Sequence, residues 1–325
     1  MKYFVVSDIH SFSTDLIVSL RRAGFNKKDK NHTLIVIGDV FDRGPDTIAV
    51  YKFLTSIPKK RCILIRGNHE ALYLELLDKS FPDNHDFHNH TTDTFCHIAG
   101  YNPEILDQSY WYRQKEKVEE PWKRCREAWN EIREIVKYHP ITAWIKSNQW
   151  KNYFELDKYI FCHAFIPVKL KEEYALAGEI YGLYNLSGRA FEYWPDWRKA
   201  KDFEWEDATW GDPIDRYQNG LFKPESDNGK VLVVGHWHTG AFYERISNIF
   251  SYEEPIHDIW FGKDFIGIDG GVFRSSITHE YVHPQNVLVI DSNDFSACYD
   301  KYGIKLEPVK TVRRIETVTP GDEEN

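Results

Sequence analysis
The sequence predicts an α/β fold, a sheet with parallel strands whose functional residues lie along one edge. Two observations predict it. Short β-branched runs recur and each stops at a polar cluster, and between the first three runs apolar residues return at helical spacing. Runs that are apolar on both faces belong to buried parallel strands, and a β-α-β-α-β order joins them by right-handed crossovers.

In chain order, the run Tyr3 to Asp8 leads through an amphipathic stretch, Thr14 to Ala23, to a second run, Thr33 to Asp39. Asp46 to Leu54 then leads to the third run, Cys62 to Asn68, and helical spacing resumes from Ala71 to Asp78. From about Phe81 to Trp150 the composition turns to His, Trp and Tyr, with helical spacing near Glu104 to Lys117 and Pro121 to Tyr138. This predicts a mostly helical cap inserted at about 81–150, beside the crevice and controlling which substrates enter. The run Tyr159 to His163 follows, then a second, irregular insertion at about 169–227 that gathers Trp194, Trp197, Trp205 and Trp210. These aromatics could wall a substrate site, but large rings most often bury themselves, and a small core of the insertion's own is the preferred expectation. Runs at Val231 to His238 and Phe265 to Asp269 complete a single catalytic domain expected over 1–310, with a polar, fraying tail at 311–325.

Composition narrows the partners. The 325 residues are 28% charged with a net charge of -9 and interspersed signs, so no basic stripe offers a counterion-releasing surface and no stable nucleic-acid complex is expected. No apolar run approaches the length of a membrane span, and the opening stretch reaches Asp8 too soon for a secretory leader; a cytoplasmic chain without membrane contact is expected. Five cysteines (Cys62, Cys96, Cys125, Cys162 and Cys298) form no CxxC pair, which points to reduced thiols rather than disulfides or thiolate zinc.

The chemistry stands at the run ends: Asp8 and His10, Asp39 and Asp42, Asn68 and His69, His163, then His236 and His238. In a parallel sheet the loops at the carboxyl ends of the strands converge on one crevice, so these groups have a geometric reason to meet. One Asp or His after a strand is ordinarily a cap or a satisfied surface group; five such clusters at the same end of consecutive strands are not explained that way. Carboxylate and imidazole donors without thiolate suit divalent Mn, Fe, Zn or Mg, and this many could hold two ions.

The blocks Asp8-Ile9-His10, Gly38-Asp39-Val40-Phe41-Asp42-Arg43-Gly44, Arg66-Gly67-Asn68-His69-Glu70, His163-Ala164 and Gly235-His236-Trp237-His238 occur in this order over residues 1–240. In that arrangement the sequence resembles the calcineurin-like metallophosphoesterases, and within them the phosphoprotein phosphatase branch. The resemblance implies a sandwich of two mixed β-sheets flanked by helices, with two divalent ions, manganese foremost, at the strand ends. It implies that Asp39 bridges both ions, that Asp8, His10 and His238 complete one site, and that Asn68, His163 and His236 complete the other. It assigns His69 as general acid polarised by Asp42, and Arg43 as a phosphate grip. Two ions roughly 3.5–4 Å apart would clamp a phosphoryl oxygen and activate a water for in-line attack.

Two departures weaken the branch assignment: Ser11 follows the first block where the branch has Gly, and the last block has two His where the branch has one. Trp210-Gly211-Asp212-Pro213 resembles the branch's tryptophan-and-aspartate loop, which makes Arg216 a candidate second phosphate ligand, with Arg189 behind it. Glu70 is expected to be structural, in the first turn of the following helix. The leading functional expectation is hydrolysis of phosphate monoesters in phosphoproteins. Its rivals are hydrolysis of a dinucleoside tetraphosphate, phosphodiester hydrolysis, and binding of phosphorylated partners without turnover.

Overall fold
The computed structural model describes residues 1–113, 120–250, 256–272, 285–293 and 298–299; the expected tail at 311–325 and the boundary at 310 lie outside the described residues. In chain order the strands are β1 (Lys2–Ser7), β2 (His32–Ile37), β3 (Cys62–Ile65), β4 (Trp150–Lys151), β5 (Tyr153–Glu155), β6 (Tyr159–Cys162), β7 (Lys169–Leu170), β8 (Phe191–Glu192), β9 (Val231–Val234), β10 (Trp260–Phe261), β11 (Phe265–Gly267), β12 (Leu288–Asp291) and β13 (Cys298–Tyr299). They make two mixed sheets, ordered β13-β12-β1-β2-β3-β4 and β10-β11-β9-β6-β5, and a small ribbon of β7 and β8. The strands from β1 to β4 run parallel, with β12 and β13 antiparallel beyond β1. In the second sheet β6, β9 and β11 run parallel between antiparallel edges β5 and β10.

The period of two along each strand builds the layers. Val5, Ile35, Ile37 and Ile65 of the first sheet meet Phe161, Val233, Ile266 and Ile268 in a core between the sheets. Their neighbours Phe4, Val6, Leu34, Val36 and Leu64 point the other way, under helices α1 (Ser13–Arg22) and α2 (Thr47–Thr55). Helix α3 (Asn68–Asp78) follows β3 directly.

The segment at 81–150 is mostly helical where it is described, with α4 (Asn84–His88), α5 (Thr91–Ala99), α6 (Gln108–Tyr112), α7 (Pro121–Tyr138) and α8 (Pro140–Ile145), residues 114–119 outside the described set and Trp150 already in β4. Pro121 opens α7 at a position where its missing N–H has no partner to lose. The stripe Cys125, Trp129, Ile132 and Val136 then faces inward at helical spacing. Trp129, Ile132 and Val136, with Phe95 and Cys96 of α5, belong to the same buried cluster as Phe4 and Leu34. These helices therefore cover the outer face of the first sheet.

The second insertion contributes α9 (Ala175–Tyr181), α10 (Asp202–Thr209) and α11 (Pro213–Gln218), and α12 (Thr239–Arg245) follows β9. Its rings do not make a core of their own. Trp197 and Trp205 pack with Ile160, Cys162, Leu232 and Val234 on the outer face of the second sheet, and Tyr153 of edge strand β5 stacks on Trp205 at 5.3 Å between centroids.

The observed strands stop short of the polar clusters that were expected to end them. Residues Asp8 (φ 50°), Asp39 (φ 50°) and His236 (φ 67°) adopt left-handed backbone, which a strand cannot accommodate, so the chain leaves each sheet just before its functional residue. Four cysteines, Cys62, Cys96, Cys125 and Cys162, are buried free thiols; the side chain of Cys298 is outside the described residues.

Candidate active site
The loops after β1, β2, β3, β6 and β9 meet where the two sheets end together. Of the ten described non-glycine residues with positive φ, seven (Asp8, His10, Ser11, Asp39, Asp42, Arg43 and His236) sit in these loops. Each such conformation costs on the order of 1–3 kcal/mol, and a concentration of them at one place marks a site held by its surroundings. Glycine makes the close approach possible: a Cβ on Gly38 would strike the His163 ring and the Gly67 backbone, and one on Gly67 would strike the Asp39 carboxylate.

Glu70 anchors this crossing. Its carboxylate accepts from Asp39 N at 3.1 Å and Gly67 N at 2.7 Å through one oxygen and from Val40 N at 2.9 Å through the other. It is structural, as expected, but its task is to tie the Asp39 loop to the start of α3.

Asp39 lies at the centre. Its Oδ1 is 3.4 Å from His163 Nε2, while Oδ2 is 3.9 Å from His10 Nε2 and 3.8 Å from His69 Nε2. The donor atoms of His10, Asp39 and His69 lie within 4.8 Å of one another, and so do those of Asp39, His163 and His236. One carboxylate thus offers a separate oxygen to each of two clusters. The ring orientations suit metal ligation as well: His10 Nδ1 donates to Phe41 O at 3.0 Å and His163 Nδ1 donates to Ile37 O at 3.0 Å, which turns both Nε2 atoms inward. Asn68 Oδ1 lies 2.9 Å from His163 Nε2, on the same side. Against His10 Nε2, at 2.9 Å, stands the guanidinium of Arg43, a cation at the lone pair where a metal ion would be expected. The donor set fits divalent ions.

Electrostatics agree. Burial would raise the Asp39 carboxyl, but the surrounding imidazoles of His163, His69 and His10 hold it well below the usual range. Burial opposes charge on His163, yet Asp39 and Asp8 carry it up to about 10. His236 is pushed down to about 3, first by burial and then by His163, and burial likewise drives His10 well down. Asp8 is pushed well up by burial and by the neighbouring carboxylate of Asp269. Buried carboxylates crowded in this way are relieved by bound cations.

His69 Nδ1 donates to Asp42 Oδ2 at 2.6 Å, and both side chains are almost fully buried. That bond leaves Nε2 facing the crevice, 3.4 Å from an Arg43 nitrogen. Arg43 itself is exposed and held in left-handed backbone.

Of the other expected residues, Asp8 is buried against the clusters: its two oxygens accept from His236 N at 3.2 and 3.0 Å, and its charge acts on Asp39 and His163. His238 precedes α12 with its side chain 44% exposed, and its Nε2 is 3.9 Å from Asp269 Oδ2. Arg216 on α11 is buried over the rings of Phe165 and Phe191 at 5.9 and 5.5 Å. Its Nη1 has no hydrogen-bond partner, and burial lowers its pKa to about 10. It lines a cavity of about 260 Å³ with Leu170, Phe191, Asp207 and Ala208, none of them cluster residues. Arg189 is exposed. Asp269, buried beside Asp8, lies two residues beyond β11, at the end of the run Phe265 to Asp269 that the sequence singled out without naming it a site residue. Thr91 and Thr94 of α5 both donate to Asp42, and nothing local in the sequence marks them.

Residues 1–240 match the family model described as calcineurin-like phosphoesterase. The chain belongs to that family. Every residue of the two His/Asp clusters lies within the matched stretch, so the metal-binding groups are those of a metallophosphoesterase. Among curated relatives, a symmetrical bis(5'-nucleosyl)-tetraphosphatase of Buchnera aphidicola (subsp. Acyrthosiphon pisum, strain Tuc7) is 37% identical over 70 residues, 22% of this chain and 24% of the relative. An asymmetrical bis(5'-nucleosyl)-tetraphosphatase, PrpE, of Bacillus velezensis is 32% identical over 76 residues, 21% of this chain and 30% of the relative. The match therefore spans about a quarter of these relatives' length. Among solved structures, a cold-active protein tyrosine phosphatase superposes with a TM-score of 0.48 at 14% identity, covering 94% of this chain and 78% of the other. A Saccharomyces cerevisiae protein serine/threonine phosphatase does so with a TM-score of 0.41 at 16% identity, covering 89% and 72%. Among the described residues no helix is long and apolar enough to cross a membrane.

Proposed function
We propose that this chain is a metal-dependent phosphoester hydrolase acting on phosphate monoesters, with phosphoserine and phosphothreonine side chains in proteins as the substrate class. The carrying observation is the His69–Asp42 pair, a buried imidazole bonded to a carboxylate at 2.6 Å with its far nitrogen toward the crevice. An alkoxide is a poor leaving group that needs a proton in the transition state, and a carboxylate-held imidazole is suited to deliver it. Divalent ions held by Asp8, His10, Asp39, Asn68, His163, His236 and His238 would supply Lewis-acid polarisation of the phosphoryl group and activation of water, and manganese matches this oxygen and imidazole set. Arg43 turns its guanidinium from His10 and His69 onto two phosphoryl oxygens, a bidentate grip that aligns phosphorus with the attacking water. His69 Nε2 then gives its proton to the leaving oxygen while Asp42 holds Nδ1. Arg216, buried over Phe165 with its Nη1 unpaired, is the candidate for a second phosphate ligand, with Arg43 as the first.

A second reading, hydrolysis of a dinucleoside tetraphosphate, is favoured by the short stretches shared with the bis(5'-nucleosyl)-tetraphosphatases. Its leaving group is a nucleotide phosphate, which departs without a strong acid, so the His69–Asp42 pair would matter less. Parallel assays of the manganese-loaded protein on para-nitrophenyl phosphate, its bis-ester, a phosphoserine peptide and diadenosine tetraphosphate separate the readings. Turnover of both monoesters with a slow bis-ester is expected. Preference for the tetraphosphate would establish the second reading, a fast bis-ester would indicate a diesterase, and no turnover of any of the four would indicate a binding module.

A further inference from the structure
The helical insertion also reaches into the proton-donating pair. Thr91 Oγ1 donates to Asp42 Oδ2 at 2.9 Å, and Thr94 Oγ1 donates to Asp42 Oδ1 at 2.6 Å while accepting from Asp42 N at 3.0 Å. All three side chains are essentially buried. A three-residue spacing puts both hydroxyls on one face of α5. The helix is itself fixed to the protein: Phe95, Cys96 and Ile98 join the core of the first sheet, Phe95 packs on Tyr73 at 4.8 Å, and the same ring stacks on Trp129 at 5.5 Å.

We infer that Thr91 and Thr94 are positioning residues for the proton donor, and that the cap supplies part of the active site. A carboxylate turns easily about its last torsion, which has a broad, two-fold well. Asp42 bonded to His69 alone could rotate and carry the imidazole with it. With one hydroxyl on each oxygen, and its own N–H held by Thr94, the carboxylate plane has a single orientation. The His69 ring follows it, and Nε2 is aimed at the place where the leaving oxygen must sit. Asp42 stands in left-handed backbone, a conformation its surroundings must hold, and the bond from its N–H to Thr94 is part of that hold. Partners that orient a catalytic group at one remove are typically worth about 10- to 100-fold in activity.

This inference rests on the proton-donor reading of His69, so its test must separate the two. Thr94→Val keeps the side-chain shape and removes the hydroxyl; Thr94→Ser restores it. With manganese loaded, Thr94→Val should keep its metal content, leave KM nearly unchanged, and lose about 10- to 100-fold in kcat on a phosphoserine peptide but far less on para-nitrophenyl phosphate. Thr94→Ser should recover most of the loss. In a His69→Asn background Thr94→Val should cost nothing further, because there is no donor left to orient. Equal losses on both substrates, no rescue by serine, or an additional loss in the His69→Asn background would overturn the positioning role. His69→Asn alone reports on the donor reading: if it lacks leaving-group dependence, that reading fails independently of the threonines. Should Thr94→Val fold poorly, Thr91→Ser and Thr91→Val supply the same comparison at the other oxygen. The His69 Nδ1 proton signal in the metal-free protein should also move in the valine variants and return in the serine ones; an unmoved signal counts against the inference without any assay of turnover.

Discussion

At the scale of single residues, the site separates two kinds of histidine. His10 and His163 point Nδ1 at backbone carbonyls and turn Nε2 inward, whereas His69 spends Nδ1 on a carboxylate. A backbone carbonyl and a carboxylate both orient an imidazole, and either hold suits a ligand; the carboxylate also favours the protonated ring, which is why His69 is proposed as the proton donor although it lies in one of the clusters. His69→Asn should therefore retain metal, lose about 10²–10⁴-fold on a phosphoserine peptide and lose much less on para-nitrophenyl phosphate, whose leaving group departs without help. Metal analysis alongside the two rate constants checks this; loss of metal, or equal slowing of both substrates, would reassign His69 as a ligand or a phosphate-positioning residue. Asp42→Asn should move in the same direction by a smaller factor. These residues were legible because each follows a β-branched run in a distinctive block. His238 sits two residues from His236 in such a block, yet one side chain joins the central cluster and the other is 44% exposed before α12, a divergence set by the backbone turn at His236 and not by residue type. Thr91 and Thr94 were invisible for a different reason: they meet Asp42 only because a helix 49 and 52 residues further along the chain packs back against its loop.

At the scale of elements, legibility followed length and periodicity. Helix α7 occupies the range its apolar spacing predicts, Pro121–Tyr138, and β1, β2, β3, β6, β9 and β11 start where their β-branched runs start, to within a residue. The edge strands β4, β5 and β10 are two or three residues long and exist only through their pairing partners, so no local pattern announces them. The cap's double role was hidden for the same reason. Its aromatic composition is plain, but that Trp129 belongs to the same core as Phe4 is a tertiary fact. Trp129 is fully buried, stacks on Phe95 and donates through Nε1 to Lys79 O at 3.3 Å. Trp129→Ala should cost about 3–5 kcal/mol of unfolding free energy, the range for a large buried ring replaced by a cavity. Denaturant titration with an unchanged slope measures it. A loss under about 1 kcal/mol would mean that the cap folds apart from the sheet, because most surface substitutions fall in that range.

At the scale of the whole molecule, one of the two clusters, Asp39 with His163 and His236, joins the two sheets. Asp39 and Asn68 follow strands of the first sheet, and His163 and His236 follow strands of the second, so ions held between them would tie one sheet to the other. Without cations, the buried carboxylates of Asp8 and Asp269 repel across the same junction. Ligands that bind only the native state stabilise it by mass action, about 2.7 kcal/mol per site at a hundredfold excess over Kd. Chelation should therefore lower the melting temperature by several degrees, and manganese should restore it. Asp39 is the group that decides whether the two sites act together, since its two oxygens face different clusters. His10→Asn should remove one equivalent of metal and part of the thermal gain, while Asp39→Asn should deplete both sites and abolish most of it. Elemental analysis and calorimetry of the two variants, each with and without manganese, make the comparison. If Asp39→Asn kept two tightly held equivalents and the full thermal shift, the carboxylate would not bridge, and the sheets would be joined by two independent sites.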